Sequence, residues 1–357
     1  MRVAVIGAGP AGATAAYCLA RAGVEVDVYE ASGGVGGMAR SIDLWGQTVG
    51  IGPQHFSSTD PRVNELWLEA AGGAYEMVEP RVRTYRDGRL HRDPRPLADR
   101  FLRRPAPAFA HPRQGPGEVY ARMCAFAERH GGRVHLDAPV AGLALDGTRV
   151  TGVRLNSGEV REHDHVISSM PPPGARPAYR YTVVVYLHTS AESVFGDTWI
   201  DVPDPGLRTE RVTNFDNWVP AAKRGERETV LALEYRCGDD DRWRWHDERY
   251  VALARAEIAA IGVVAAQEIL DAVALRVPKS QATHQPGPVA PIEGLQVLGR
   301  PGATQAGSIL SGLLAAENVL EDAGHDLWSP TPHPGRSRIT ATGLEMESAL
   351  RPRLKFG

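Results

Sequence analysis

The first 30 residues constrain the fold more than any other feature of this 357-residue chain. Val3 to Ile6 is a short apolar, β-branched run, which is typical of a strand buried on both faces. Gly7, Gly9 and Gly12 then give the spacing G-x-G-x-x-G. In this spacing the first glycine permits a tight turn, the second lets a pyrophosphate approach the backbone, and the third lets a helix pack closely on the strand. The run predicts a strand that turns directly into a phosphate-binding helix.

The next segments complete the pattern. Residues 11–22 predict a helix whose N-terminal amides and dipole favour a bound phosphate. Residues 24–29 predict a second strand that ends at Glu30, 18 residues after Gly12. A carboxylate near this spacing accepts hydrogen bonds from an adenosine ribose. Strand, glycines, helix, second strand and acid in this order indicate a dinucleotide site.

A second glycine cluster favours FAD over a nicotinamide dinucleotide. Residues 33–37 contain four glycines, and Arg40 follows them. This cluster resembles the one after the ribose-binding acid in glutathione-reductase-like FAD proteins. There the backbone passes close under the pyrophosphate, and an arginine pairs with the phosphate charge. A flexible glycine loop is the alternative interpretation, whereas a nicotinamide enzyme has no evident need for the cluster.

Composition narrows the classes of partner. The chain has 40 Lys and Arg against 43 Asp and Glu, so charge favours neither nucleic acid nor an anionic membrane surface. Cys18, Cys124 and Cys237 lack metal or C-x-x-C spacing, which fits a reducing cytosol and suggests no metal site. No apolar run approaches the roughly 20 residues that span a bilayer. We expect a cytoplasmic protein without a leader or an integral membrane segment, and the arginine- and alanine-rich composition hints at a bacterial source.

The predicted elements group into two alternating units. Residues 134–136, 140–145, 150–155 and 160–169 predict a strand meander that ends by returning to the main sheet. Residues 91–117 are rich in proline and arginine, and we interpret them as a loop or connector. The predicted division is FAD-binding domain at 1–80, 115–173 and 291–325, connector and partial substrate region at 81–114, mixed-sheet substrate domain at 174–290, and flexible tail at 326–357.

Later segments extend a resemblance along residues 1 to about 323. They include GPGEVY at 115–120, VISSMP at 166–171, the stretch at 197–220 that contains RVTNFDNW, LEYRCGDDDRW at 233–243 and SGLLAAENV at 311–319. In this order they are similar to flavoproteins related to protoporphyrinogen oxidase, the amine oxidases and UDP-galactopyranose mutase. The resemblance implies an α/β fold with a glutathione-reductase-like FAD-binding Rossmann domain and a second, mixed-sheet α+β substrate domain.

The resemblance also implies which residues bind FAD. They fall in the pyrophosphate loop, at the ribose acid, in the second glycine cluster, at an adenine contact, and where the last strand and helix meet the flavin. These residues are Gly7, Gly9, Pro10, Ala11, Gly12, Glu30, Ala31, Gly37, Met38, Arg40, Val140, Gly299, Arg300, Gly307 and Ser308.

The chain also departs from its relatives. They usually carry Asp-x-Gly-Gly-His-Arg where this chain has residues 50–55, so that Gln54 or His55 takes the position of the family histidine. Most of the helical insertion between residues 102 and 109 is missing, which describes a trimmed relative whose substrate region a partner protein can cover.

Few side chains are candidates for the chemistry, because a flavin itself carries the redox step. His55 titrates near neutral pH and is a candidate acid or base, with local packing as the alternative. Gln54 is a candidate hydrogen-bond donor to the flavin or the substrate. Arg211, Asn214 and Trp218 either line a substrate pocket or form an ordinary strand, turn and core tryptophan.

We expect an FAD-dependent oxidoreductase that transfers a hydride from a small or medium organic substrate to flavin. An amine, a sugar or aminocyclitol alcohol, or a CH–CH unit all suit this chemistry. One alternative is a redox-neutral, flavin-dependent sugar mutase or isomerase, and another is a flavin-binding partner protein of low activity. The residual alternative is a nicotinamide-binding protein.

Overall fold

The computed structural model describes residues 1–51, 55–92, 108–171, 175, 178–190, 195–218, 228–238, 242–282, 291–298 and 304–327. The helices in this part of the chain are α1 (Pro10–Arg21), α2 (Pro61–Ala71), α3 (Gly117–Arg129), α4 (Asp247–Ile261) and α5 (Gln305–Glu321). None of them combines the length and apolar character needed to cross a bilayer.

The strands of the described residues follow in chain order. They are β1 (Arg2–Ile6), β2 (Glu25–Tyr29), β3 (Ser41–Leu44), β4 (Gln47–Gly50), β5 (Tyr75–Val78), β6 (Val82–Arg86), β7 (Arg89–Arg92), β8 (Phe109–Pro112), β9 (Arg133–His135), β10 (Val140–Asp146), β11 (Arg149–Leu155), β12 (Val160–Glu162), β13 (His165–Ser168), β14 (Tyr179–Thr189), β15 (Trp199–Asp201), β16 (Arg211–Asn214), β17 (Thr229–Cys237), β18 (Ile269–Ala282) and β19 (Leu295–Val297).

The first layer is a parallel sheet in the order β19-β13-β1-β2-β9. Val3 and Val5 of β1 pack in one core with apolar residues of α1, α3 and α5. Ala4 and Ile6 pack on the opposite face with residues of the antiparallel meander β10-β11-β12. Successive side chains of a strand point to opposite faces, so the apolar run of β1 fills both cores, as its sequence predicts.

The second layer is a mixed sheet in the order β18-β14-β17-β16-β15-β6-β7, in which only the β15–β6 pair is parallel. One face of this sheet packs on α4, because Val185, Leu233 and Ile258 share one core. The other face meets the β3–β4 hairpin, because Val49 and Tyr186 share another. We call this second side the inner face.

The hairpin is fastened to the sheet at its tip. Trp45 adopts a left-handed backbone with φ of 48° and is followed by Gly46 with φ of 78°. The Trp45 indole donates a hydrogen bond to Asp271 Oδ2 at 3.0 Å. Its ring stacks on His188 at a centroid distance of 5.0 Å. The tip of the hairpin is therefore anchored to the mixed sheet.

Three sequence predictions need correction. The strand at 133–135 does not belong to the meander: β9 pairs with β2 at the edge of the parallel sheet. The presumed connector at 91–117 contains the end of β7, the strand β8 and the first residue of α3. Within the predicted tail, Leu327 is buried at 4% exposure in the core of the first layer, and the rest of the tail, from residue 328 on, lies outside the described residues.

Candidate functional site

The glycine turn after β1 is built by very close backbone contacts. Gly7 has φ of 93°, and a Cβ there would lie 2.2 Å from Ser169 Oγ. A Cβ on Gly12 would lie 1.9 Å from the carbonyl oxygen of Gly7. Both positions therefore exclude any larger residue, and α1 begins directly against the end of β1.

The N-terminus of α1 is open toward the second glycine cluster. Gly9 caps the helix without a side-chain hydrogen bond, and Pro10 occupies its first turn. A Cβ on Gly37 would lie 3.0 Å from the Cα of Gly9. The Gly36 amide donates to the Ala8 carbonyl at 2.7 Å, which holds the two glycine segments together. The two segments form a narrow cradle, and the uncapped helix dipole favours a negative charge in it.

Glu30 lies at one end of this cradle. Its Oε2 accepts a hydrogen bond from the Ala8 amide at 2.8 Å. Its Oε1 accepts from the Ser32 amide at 2.9 Å and from the Ser32 hydroxyl at 2.7 Å. The carboxylate is thereby held beside the glycine turn in a fixed orientation.

Arg40 lies near Glu30, because both side chains are hydrogen-bonded to the Ser32 hydroxyl. Its Nη1 donates to Ser32 Oγ at 3.3 Å. Its Nε is buried and has no hydrogen-bond partner in the described part of the chain. A buried guanidinium nitrogen without a partner is costly, and an anion in the cradle would relieve that cost.

These features fit the adenosine and pyrophosphate parts of FAD. The fixed carboxylate of Glu30 suits a ribose diol, whereas the uncapped α1 and the unpartnered Nε of Arg40 suit a diphosphate. FAD in this cradle would be held by Glu30 at the ribose and by Arg40 and the first turn of α1 at the phosphates.

The remaining predicted cofactor contacts surround the cradle or lie outside the described residues. Ala31 follows Glu30, Met38 lies in the 3-10 helix Gly37–Ala39, and Val140 begins β10 at an intermediate exposure. Gln54, Gly299 and Arg300 lie outside the described residues.

The start of α5 differs in detail from the sequence prediction. Gly307 and Ser308 already lie inside the helix, because Thr304 is its N-cap. The Gly307 amide donates to Thr304 Oγ1 at 3.1 Å, and the Ser308 amide donates to the Thr304 carbonyl at 2.9 Å. Both amides are therefore already hydrogen-bonded to Thr304 and are not free to bind an anion.

A short path leads from the cradle to the inner face of the mixed sheet. The Ile51 amide donates to the Arg40 carbonyl at 3.1 Å, so the end of β4 lies beside the cradle. The Tyr186 hydroxyl, which comes from β14, donates to the Gly50 carbonyl at 2.8 Å. His55 follows a few residues later and reaches the mixed sheet, where its ring stacks on Trp199 at 6.0 Å.

His55 lies in a group of aromatic rings. Besides Trp199, its ring contacts Phe109 of β8 at a centroid distance of 5.6 Å. Phe109 and Trp199 both contact Trp218, at 5.1 and 5.8 Å. The side chain of His55 keeps an exposed surface, yet crowding by protein atoms and the nearby charge of Arg211 lower its pKa. The imidazole is therefore neutral at physiological pH and can accept a hydrogen bond or a proton.

A row of charged residues crosses the inner face next to these rings. Asp201, Arg211 and Glu234 stand opposite one another on β15, β16 and β17. Asp201 Oδ1 accepts a hydrogen bond from Arg211 Nε at 3.0 Å and forms an ion pair with Nη2 at 3.0 Å. The guanidinium also lies 5.3 Å from the Trp199 ring. Burial raises the pKa of the Glu234 carboxyl, and Arg211 only partly offsets this effect. Arg211 is thus a paired cation and not a free anion receptor.

Two predicted substrate residues have structural roles. Asn214 is buried on the α4 side of the sheet, donates to the Phe195 carbonyl at 3.1 Å and accepts from the Asp216 amide at 3.1 Å. Trp218 is 4% exposed and donates its indole N–H to the Thr198 carbonyl at 3.0 Å. In the structure Asn214 is therefore a turn residue and Trp218 a core tryptophan, which is the alternative interpretation given by the sequence.

Trp199 is the site residue that sequence reasoning missed. In β15 it alternates with Ile200, which is fully buried against α4, so Trp199 and Asp201 face the opposite side. This period-2 pattern is visible in the sequence Trp-Ile-Asp, but three residues are too few to set a strand's orientation without the sheet.

The parallel sheet with its glycine cradle defines a dinucleotide-binding flavoprotein fold, and comparisons with known proteins agree. Residues 5–70 match the family described as NAD(P)-binding Rossmann-like domain. Residues 91–320, more than half of the chain, match the family described as flavin-containing amine oxidoreductase. The chain belongs to this family of FAD-dependent oxidoreductases, which confirms the predicted superfamily and FAD as the cofactor.

Individual relatives support the same fold. Protoporphyrinogen oxidase 2, chloroplastic/mitochondrial, from Arabidopsis thaliana is 43% identical over 65 residues, which are 18% of this chain and only 13% of the plant protein. A putative protoporphyrinogen oxidase from Exiguobacterium sp. 255-15 is similar with a TM-score of 0.70 and 15% identity, over 89% of this chain and 98% of the other.

Two further solved structures are similar at low identity. Reduced UDP-galactopyranose mutase has a TM-score of 0.70 and 15% identity, over 97% of this chain and 98% of the other. Putrescine oxidase bound to putrescine has a TM-score of 0.64 and 14% identity, over 90% and 99%. At these identities the likeness concerns the fold, and it confirms the α/β class with a Rossmann-type domain.

Proposed function

We propose that this protein oxidises a small or medium organic substrate by hydride transfer to FAD. The substrate class is an amine, a sugar or aminocyclitol alcohol, or a compound with a CH–CH unit. In this proposal the parallel-sheet unit at 1–80, 115–173 and 291–325 holds FAD, and the mixed-sheet unit at 174–290, with the strands of 81–114, holds the substrate.

The path between the two units carries the proposal. Hydrogen bonds link the Arg40 carbonyl to Ile51 and the Gly50 carbonyl to Tyr186, so one short segment touches both the cradle and the inner face. His55 lies just beyond this segment against Trp199. A substrate on the inner face would therefore lie near a cofactor that extends from the cradle.

The residues of the inner face would bind and orient the substrate. FAD supplies the hydride acceptor when it is bound. The neutral imidazole of His55 can take a proton from a substrate O–H or N–H group. Trp199 offers a partly exposed indole for packing, and the Arg211–Asp201 pair offers polar groups whose charges already compensate each other.

A redox-neutral mutase is the second candidate, because the likeness to reduced UDP-galactopyranose mutase extends over 97% of this chain. A mutase of that kind would need to bind a nucleotide diphosphate. On the inner face, Arg211 is a cation in place for such a group, and it is already hydrogen-bonded and ion-paired to Asp201. We therefore place this candidate second.

The visible spectrum of the purified protein, followed without air, tests the proposal. We expect a yellow protein whose flavin band is bleached on mixing with one of the three substrate classes. His55→Gln should slow this bleaching without loss of the bound flavin. Turnover of a nucleotide sugar only after dithionite reduction would instead support the mutase. A yellow protein that none of these compounds reduces would favour a flavin-binding partner protein and would contradict the proposal.

A further inference from the structure

We propose that Ser32 is a positioning residue of the FAD site, whose hydroxyl gives up its hydrogen bond to Glu30 when the cofactor ribose arrives. The inference rests on the assignment of Glu30 to the ribose and is independent of the substrate. The observation behind it is that the Ser32 hydroxyl is hydrogen-bonded to both charged side chains of the cradle, Glu30 and Arg40.

Three groups lie within hydrogen-bond distance of the Ser32 hydroxyl. Glu30 Oε1 is 2.7 Å away and the Gly34 carbonyl oxygen is 3.0 Å away, and both can only accept. Arg40 Nη1, at 3.3 Å, can only donate. A hydroxyl has one proton, so Ser32 donates either to Glu30 or to Gly34 while it accepts from Arg40.

A count of acceptor positions shows why this choice matters. A carboxylate has about four lone-pair positions. The Ser32 amide and hydroxyl occupy both positions on Oε1, and the Ala8 amide occupies one on Oε2. A ribose diol brings two more O–H donors, so one of the three existing bonds has to be released.

The Ser32 hydroxyl is the donor that can leave at least cost. Rotation about its Cβ–Oγ bond turns its proton to the Gly34 carbonyl, whereas the Ala8 and Ser32 amides are fixed by the backbone. In the cofactor-free protein the hydroxyl keeps Glu30 satisfied and oriented. In the loaded protein it frees one position for the ribose and still accepts from Arg40, so neither charged group has to reorient.

The dissociation constant for FAD, measured by equilibrium dialysis of the full-length chain, tests this inference. Without the Ser32 hydroxyl, the Glu30 carboxylate of the free protein is no longer held in the orientation that the ribose meets. This loss of preorganisation predicts about tenfold weaker binding for Ser32→Ala. Ser32→Thr, which keeps a rotatable hydroxyl, should bind within about twofold of the parent chain. Ser190→Ala is the matched control, because the Ser190 hydroxyl bonds to the Glu268 carbonyl on the remote mixed sheet.

A double-mutant cycle separates positioning from general damage. In a Glu30→Gln background, Ser32→Ala should change FAD affinity by less than about twofold, because its partner charge is gone. Independent effects in the cycle, equal losses for Ser32→Ala and Ser32→Thr, or normal binding by Ser32→Ala would each overturn the inference. The experiment needs no turnover, so a protein that binds FAD but oxidises none of the proposed substrates would contradict only the proposed function.

Discussion

At the scale of single residues, His55 shows how its surroundings set a protonation state. Crowding in the aromatic group and the positive charge of Arg211 both disfavour the imidazolium form and lower its pKa. Folding therefore favours the neutral ring, and protonation opposes the folded arrangement only at a pH below the ordinary histidine value of about 6.5. In the proposed reaction, His55 would therefore still be able to accept a proton in mildly acidic solution.

The pH profile of flavin reduction by substrate should reflect this state. We expect the rate to fall on the acid side with a midpoint below about pH 6.5. Arg211→Gln removes the like charge and should shift the midpoint upward, whereas His55→Gln should remove this limb of the profile. Rapid anaerobic mixing over a pH series measures all three. An acid limb that persists unchanged in His55→Gln would show that another group titrates.

Individual site residues could be predicted from sequence only where the site requires one particular residue type, such as glycine in a tight turn or a carboxylate beside a ribose. Gly7, Gly12 and Glu30 satisfy such needs, and the structure places them together in one cradle. Asn214 and Trp199 show the limit of such prediction. Side chains alternate between the two faces of a sheet, and the register of the strand decides whether a given residue points to the inner face or to the core. That register is set by pairing with strands that are far away in the sequence.

At the scale of elements, α1 and α5 touch through a glycine. A Cβ on Gly312 of α5 would lie 2.1 Å from the Ala11 carbonyl oxygen in the first turn of α1. The contact is backbone against backbone, so no side chain can move aside to relieve it. The position of the glycine turn and the first turn of α1 therefore depends on the absence of a side chain at Gly312.

Gly312→Ala should destabilise the protein by about 2 kcal/mol and weaken FAD binding, because α5 has to move away from α1. Urea unfolding with and without FAD measures both effects. Gly307→Ala is a matched control for stability within the same helix, since its nearest atom would be Thr304 Oγ1 at 3.4 Å. Equal stability of the two variants would contradict this account of the packing.

The elements with strong local patterns were predicted well, and the short ones were not. α2 illustrates the first case: Asp60 caps it, Pro61 starts it and Gly72 ends it with φ of 59°. The pairs β3–β4 and β5–β8 have four-residue strands whose pairing stabilises them more than their own sequence does. The edge position of β9 likewise depends on Tyr29 and its neighbours and could not be inferred locally.

At the scale of the whole molecule, one buried carboxylate is hydrogen-bonded to three segments that lie far apart in the sequence. Asp27 of β2 is 3% exposed and accepts hydrogen bonds from Arg2 at 2.8 Å, His135 at 3.2 Å and His163 at 3.1 Å. Burial opposes ionisation of Asp27, but the hydrogen bonds from the two histidines and Arg2 outweigh it and lower its pKa. The ionised carboxylate therefore stabilises the parallel sheet.

The free energy of unfolding should reflect this carboxylate in a defined pH range. A lowered pKa means that its contribution is complete above the unfolded value of about 3.9 and is lost as the pH falls further. Asp27→Asn should cost about 2–4 kcal/mol at pH 7, and the difference from the parent chain should shrink below about pH 4. Denaturant titrations at several pH values measure this difference, and a constant difference down to pH 3 would exclude the explanation.

The strand order of the parallel sheet has a consequence for how the protein is made. β13 and β19 are neighbours, yet more than a hundred residues, including the five strands β14 to β18 of the mixed sheet, separate them along the chain. During synthesis, the emerging N-terminal half carries the glycine turn but lacks both its last strand and the helix that supports α1. Contacts between such distant segments form slowly. Cofactor loading is therefore expected to be a late event that waits until β19 and α5 have left the ribosome.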